Sequence, residues 1–247
     1  YKYHLTDPSG ASRSNLVRQK KMLNHFYGGV ASLNYSDRNR VQLTLGGAAN
    51  QYQGKHFGNV KWAEVLTNQR FPQLHYYDND ARKTDANIYG RINYRLTGGL
   101  HAYLDLQYRY VDYTMKGTSQ EFDGNNQLPL TLDRHYNFFN PKAGLTYTAG
   151  RHTLFASYAI AHKEPTRNDF EDMMAETDPV DPKAERLNDL EVGYTYQTDR
   201  FSATANLYYM AYDNQFVLTG AQDSNGEMVA RNIKDSRSEE RRVGKEC

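Results

Sequence analysis

DANIYGRINYRLTGGLHAYLDLQYRY, Asp85 to Tyr110, is the stretch whose reading decides the fold. Ala86, Ile88, Gly90, Ile92, Tyr94 and Leu96 alternate with Asp85, Asn87, Tyr89, Arg91, Asn93 and Arg95. A period of two is the signature of a strand that shows different faces to different surroundings. Thr97-Gly98-Gly99 forms the turn, and the pattern returns. Leu100, Ala102, Leu104, Leu106, Tyr108 and Tyr110 then face away from His101, Tyr103, Asp105, Gln107 and Arg109. Folded as a hairpin, the pair has one apolar face and one face carrying Arg91, Arg95, Arg109, Asp85 and Asp105. Each arm is about a dozen residues long. A tilted membrane-crossing strand needs ~9–11 residues, whereas a sandwich strand typically has ~5–6.

The same unit recurs on both sides of this hairpin. Leu23–Tyr35 and Val41–Tyr52 flank Ser36-Asp37-Arg38-Asn39. Phe139–Tyr147 and Thr153–Ala161 flank Thr148-Ala149-Gly150-Arg151. Leu187–Tyr196 and Phe201–Tyr212 flank Gln197-Thr198-Asp199-Arg200. Four hairpins give eight strands, and Val229–Ser236 reads as the start of a ninth. The links between hairpins are long: Gly54–Lys83, Asp112–His135, His162–Arg186 and Asp213–Met228. Short turns at one end and long links at the other match an outer-membrane barrel, with short periplasmic turns and long extracellular loops. The expected fold is therefore all-β, an antiparallel transmembrane β-barrel segment of about eight long strands in four hairpins.

Composition agrees with that fold without proving it. Mean hydropathy is −0.86, and no stretch approaches the ~20 apolar residues of a membrane-crossing helix. A barrel tolerates this because only alternate residues meet lipid. The 21 tyrosines, against 10 phenylalanines and one tryptophan, suit aromatic girdles at the membrane interfaces, though a Tyr-rich soluble β-protein has the same composition. With 30 Lys plus Arg against 29 Asp plus Glu, the basic excess expected for nucleic-acid binding is missing. The one cysteine, Cys247, is the last residue, so disulfides and cysteine metal sites are excluded. The opening YKYHLTDPSG has none of the parts of an export signal, so an exported chain is expected to begin elsewhere.

Leu16–Tyr35 (LVRQKKMLNHFYGGVASLNY), Phe139–Asp172 with its EP-x-R-x-DF run, Glu185–Gly220 (ERLNDLEVGYTYQTDRFSATANLYYMAYDNQFVLTG) and Val229–Ser236 (VARNIKDS) together resemble the barrel of TonB-dependent outer-membrane receptors. The resemblance covers residues 1–236. It implies a receptor that binds a scarce bulky solute outside the cell, most readily a ferric siderophore or another iron chelate, with a glycan as the alternative. It also implies the partners: outer-membrane lipid, a plug domain inside the barrel, and the TonB complex, which acts through an N-terminal box. The plug and box lie outside this sequence. The expected location is the outer membrane.

Candidate solute-binding residues are Trp62, Arg70, Tyr76 and Tyr77 in the Gly54–Lys83 link, and Arg91, Arg95 and Arg109 on the polar face. Aromatic rings and guanidinium groups suit an anionic aromatic chelate. The competing readings are packing between loops and a ladder of cross-strand ion pairs. His162, Glu164, Asp169, Glu171 and Asp172 crowd one link, but their spacing fits no metal-ligand pattern and they read as a barrel-rim loop. Asp223–Glu227 reads as a tight turn rather than a calcium loop. Nothing stands in the context of a catalytic triad. Neither an enzyme, a resident metal nor a cofactor is expected. The alternatives are a complete eight-stranded barrel acting as an adhesin or structural protein, and an outer-membrane hydrolase.

The final segment, RSEERRVGKEC (Arg237–Cys247), breaks the alternation. It resembles the in-frame translation of a standard short-read sequencing adapter. Residues 237–247 are therefore expected to be foreign to the barrel and to make no stable contact with it.

Overall fold

In the computed structural model, residues 15–37, 40–64, 75–123, 126–174, 180–222 and 228–246 are described. The strands are β1 (Leu16–Ser36), β2 (Val41–Ala63), β3 (His75–Arg95), β4 (Leu100–Asp123), β5 (Asn126–Ala149), β6 (His152–Lys163), β7 (Glu185–Gln197) and β8 (Ser202–Asp213). They pair antiparallel, each with its sequence neighbour. One short helix, α1 (Arg167–Met174), follows β6. A separate hairpin of β9 (Gln215–Gln222) and β10 (Met228–Ile233) follows β8, and β11 (Ser236–Glu246) then adds to the free edge of β8. The resulting nine-stranded sheet is open, with β1 and β11 at its edges. Among the described residues, no helix is long and apolar enough to cross a membrane.

The four short turns lie at one end and are closed by local hydrogen bonds. Asp37 Oδ1 accepts from the amides of Arg40 and Val41 at 2.7 and 2.9 Å, the Asx arrangement that turns favour. The amide of Leu96 donates to the carbonyl of Leu100 at 2.9 Å, and that of Thr198 to Phe201 at 2.7 Å. Gly150 has φ +58°, a conformation that glycine adopts without a Cβ penalty.

The other end differs from the sequence expectation. Most of Gly54–Lys83 and all but the tip of Asp112–His135 are strand, so β2 to β5 each run for 21 to 24 residues. The alternation continues there, but with the polar and apolar faces exchanged, and a pattern search tuned to one apolar face loses the strand. The predicted ninth strand, Val229–Ser236, instead contributes mainly to β10, and the ninth sheet position begins at Ser236.

Arg237–Glu246, expected to stand apart, pairs along the whole of β8. Backbone hydrogen bonding is indifferent to sequence, and an unpaired sheet edge presents a row of N–H and C=O groups to any extended segment. The register sets Arg237, Glu239, Arg241 and Lys245 opposite Ala211, Tyr209, Leu207 and Ala203. These β8 positions belong to the face that elsewhere carries the apolar rows.

Candidate functional site: the inner wall and its folded-in loop

The strand register allows the sheet to be read in rows. Over the half nearest the short turns, one face is apolar, with rows such as Tyr35–Leu43–Ile92–Leu104–Ala143 and Ile88–Tyr108–Phe139. Its large side chains are open to the surroundings: Leu33 is 77% exposed, Ile88 67% and Leu207 54%. An apolar surface running across the sheet is far larger than a soluble monomer tolerates and marks contact with lipid. The opposite face carries rows such as Asn34–Thr44–Arg91–Asp105–Lys142. This is the inner wall of a barrel. Tyr103 lies close against Gly144 on this wall, where an added Cβ would come within 2.5 Å of the ring, and the Arg91 guanidinium sits 5.5 Å from the Tyr103 centroid.

In the half away from the turns, the faces exchange character. The inner face of β4 continues from Arg109 to Val111, Tyr113 and Met115, all buried. Tyr113 and Met115 form the main core with Ala81, Leu130 and Leu132, closed by Phe170 of α1, which is 1% exposed. The Phe170 and Tyr113 rings meet edge-on at 6.3 Å. The segment after β6 therefore folds back against the inner wall and supplies the cover that these apolar residues require. Its helix begins with a reciprocal cap. The Thr166 amide and hydroxyl donate to Asp169 Oδ2 at 2.6 and 2.8 Å, and the Asp169 amide donates to the Thr166 hydroxyl at 3.4 Å, which satisfies donors that a helix start leaves open.

An ionic cluster marks the boundary between the two halves. Arg109 Nε donates to both oxygens of Asp85 at 3.0 and 3.2 Å. Its Nη1 and Nη2 reach Glu164 at 2.8 and 2.9 Å, and Lys83 Nζ reaches Glu164 Oε1 at 2.6 Å. Burial alone would raise the Glu164 carboxyl, but the hydrogen bonds from Arg109 and Lys83 outweigh it and hold the group at about 2. Further along the loop, Arg167 donates to Asn79 Oδ1 at 2.8 Å and pairs with Glu171 at 2.7 Å. The loop is thus fastened by one apolar plug, Phe170, and two charged clasps.

The residues expected to bind solute are dispersed. Arg91 and Arg109 share the inner wall. Arg95 lies near the short turns, lining a shallow pocket with Asp37, Arg40 and His101. Tyr76 and Tyr77 are buried with Val60 and Ala63, and Trp62 is exposed near the far end of β2. Arg70, like the Asp223–Glu227 turn, lies outside the described residues. Arg109 forms the expected cross-strand pair, but it also reaches a loop residue far away in sequence. Nothing local in the sequence joins Glu164 to Arg109, 55 residues away, or to Lys83, 81 residues away. Asp112, Asp133 and His135 also escaped notice. Their ligand-capable atoms lie within 4.8 Å of one another on the outward face, whereas the sequence pattern sets Asp112 and His135 at opposite ends of a loop. His135 Nδ1 contacts Asp112 at 2.9 Å.

A sheet with a lipid-facing apolar surface, a polar inner wall and a rim loop packed against that wall is a section of outer-membrane-type β-barrel. Residues 1–239 match the family described as TonB dependent receptor-like, beta-barrel, and the chain belongs to that family. No curated protein sequence matches the chain. Among solved structures, it is similar to the copper transporter OprC, with TM-score 0.74 and 14% identity over 92% of this chain and 36% of that one. It is similar to the FrpB iron transporter from Neisseria meningitidis, with TM-score 0.59 and 14% identity over 91% and 33% of the two chains. It is also similar to the ferric yersiniabactin uptake receptor FyuA from Yersinia pestis, with TM-score 0.56 and 14% identity over 81% and 30%. The chain spans about a third of the length of these structures. Barrels of this family are outer-membrane proteins.

Proposed function

We propose that this chain is part of the wall of an importer that carries a bulky anionic solute, an iron chelate, across the outer membrane. The observation that carries the proposal is the inner wall, where Arg91 stacks over Tyr103 and Arg109 stands at the lip of the folded-in loop. Guanidinium groups beside aromatic rings suit an anionic aromatic chelate. Two of the three similar structures named above are described as an iron transporter and a ferric-chelate uptake receptor. The plug domain and the TonB complex are the partners such import requires. The test is radio-iron uptake by the intact receptor, presented with catecholate and hydroxamate chelates. Arg91→Gln should reduce uptake roughly tenfold, about 1.4 kcal/mol of lost binding, with surface expression unchanged. Growth on an oligosaccharide without uptake of any iron chelate would favour glycan import instead.

Arg237–Cys247 is proposed to be foreign to this wall. Its register sets two arginines, a lysine and a glutamate opposite alanine, leucine and tyrosine of β8. Arg or Lys on a lipid-facing strand costs ~2–4 kcal/mol at the bilayer midplane, falling to ~0–1 kcal/mol near the interfaces. Resequencing the locus from fresh genomic DNA should replace these codons with others, and finding them in place would end the proposal.

A further inference from the structure

We infer that Lys83, Arg109 and Arg134 of the inner wall form an anion-binding site for the solute, and that Glu164 and Asp181 occupy it as internal stand-ins until the solute displaces them. The inference rests on the proposed import of an anionic chelate.

The three cations are matched from off the sheet. Arg109 Nη1 and Nη2 and Lys83 Nζ converge on Glu164. Arg134 Nη2 donates to both oxygens of Asp181 at 2.8 and 2.9 Å. Both carboxylates come from the loop between β6 and β7. Polar groups on the outward face are instead satisfied within the sheet. Lys55 pairs with Asp78 at 3.3 Å, Arg82 lies 3.9 Å from Asp112, and Tyr108 of the girdle donates to Asn137 at 2.7 Å. On the inward face the wall itself supplies Asp85, which holds Arg109. Among the described residues, Lys83 and Arg134 find carboxylate partners only in the loop. Arg167 and Glu171 of the loop pair with each other. Without Glu164 and Asp181, the three wall cations therefore face Asp85 alone.

The spacing selects the occupant. The register sets Lys83, Tyr113 and Arg134 in one row, so the outer two are two strand spacings apart, about 10 Å. One carboxylate cannot serve both. The occupant needs at least two anionic groups at that separation, which a polycarboxylate or polyphenolate metal chelate carries. Aromatic rings stand beside the cations. Tyr136 stacks on Phe138 at 5.6 Å, Phe138 stacks on His162 at 5.4 Å, and Lys83 Nζ lies 5.7 Å from the Tyr113 centroid. The two stand-ins are held unequally. The Glu164 side chain is 7% exposed and accepts from two cations, whereas that of Asp181 is 77% exposed. An exposed ion pair contributes little, so Asp181 yields first and Arg134 makes the first contact with the solute.

The test uses the intact receptor containing this chain, titrated in detergent with ferric citrate, a ferric tricatecholate and an uncharged ferric trihydroxamate. Bound radio-iron gives the affinity, and hydrogen exchange reports on the loop. An anionic chelate should strip protection from α1, and the trihydroxamate should not. Glu164→Gln/Asp181→Asn should bind the anionic chelate roughly tenfold more tightly, the gain expected when about one chain in ten is open beforehand. Lys83→Gln/Arg134→Gln should bind it roughly tenfold more weakly. Equal or weaker binding by the Glu164/Asp181 variant, with heat-modifiable migration intact, would overturn the inference and leave both carboxylates as clasps. Undiminished α1 protection in the wild type at saturating anionic chelate would overturn it without reliance on any variant, as would binding of the trihydroxamate alone. Binding of none of the three chelates by any form would overturn iron-chelate import itself, and this inference with it.

Discussion

The two halves of β3 and β4 use the same alternation for opposite purposes. Near the short turns, Ile88, Ile92, Leu104 and Leu106 point outward while Arg91, Asp105 and Arg109 point inward. Toward the other end, Arg82, Asp112 and Lys116 point outward while Ala81, Val111, Tyr113 and Met115 point inward. The backbone is continuous and no residue is inserted between the halves. The surroundings change instead: lipid outside and a hydrated lumen inside give way to water outside and a packed loop inside. A strand's alternation therefore reports a contrast between two environments, and its sign must be read separately along the length. The Arg109–Asp85–Glu164–Lys83 cluster lies at the crossover, where the inner wall changes from wet to packed.

The largest effect should come from removing the cover of the upper half. Phe170→Ala empties a buried aromatic site and should cost about 3–5 kcal/mol of the loop's attachment. Hydrogen exchange should show lost protection at α1 and at Met115 and Leu132, with the lower rows unchanged. Equal loss in both halves would mean that the two are not independently supported.

Next in size is a direct exchange of environment. Leu104→Arg should destabilise the refolded barrel by about 2–4 kcal/mol in vesicles. Thr114→Arg, on the same strand and the same face but above the border, should stay within about 0.5 kcal/mol. Denaturant titration in vesicles compares them, and equal costs would erase the distinction between the halves.

The clasp should be weaker. Glu164→Gln keeps the shape but weakens the charge-assisted hydrogen bonds, at about 1–3 kcal/mol. The carboxyl titrates near 2 in the folded chain against an ordinary 4.5. A group whose folded pKa is depressed stabilises fully above its unfolded value and loses that contribution as pH falls. Loop protection in the wild type should thus be flat above about pH 5 and decline between about pH 4.5 and 2. The Gln variant should lack that decline. Smallest of all, Tyr108→Phe removes one girdle hydrogen bond, about 0.5–1.5 kcal/mol, and should alter stability only slightly.

The lower half was legible in the sequence because lipid imposes a consistent apolar face, and Asp85–Tyr110 alone displays it. The short turns were equally legible, since Asp37 and Gly150 are residues that turns select. The upper half was misjudged as loop because its inner residues are covered by a segment far away in sequence. Without knowing that Phe170 returns to Met115 and Leu130, nothing explains why those positions are apolar. Glu164 was noticed as part of a motif, but its partners Lys83 and Arg109 become visible only with the register in hand. The edge pairing of Ser236–Glu246 was not foreseeable, because it follows from the bare edge of β8 rather than from the side chains.

The central claim is that this sheet is a membrane wall whose outward face changes medium partway along each strand. In the intact receptor, with its native cysteines replaced by serine, single spin labels are placed at 88, 104 and 106 and at 82, 114 and 116. Collision with oxygen and with a water-soluble nickel complex, measured in reconstituted vesicles, tests the claim most directly. The account predicts oxygen-dominated collision at 88, 104 and 106 and nickel-dominated collision at 82, 114 and 116. Nickel-dominated collision at all six positions would contradict it.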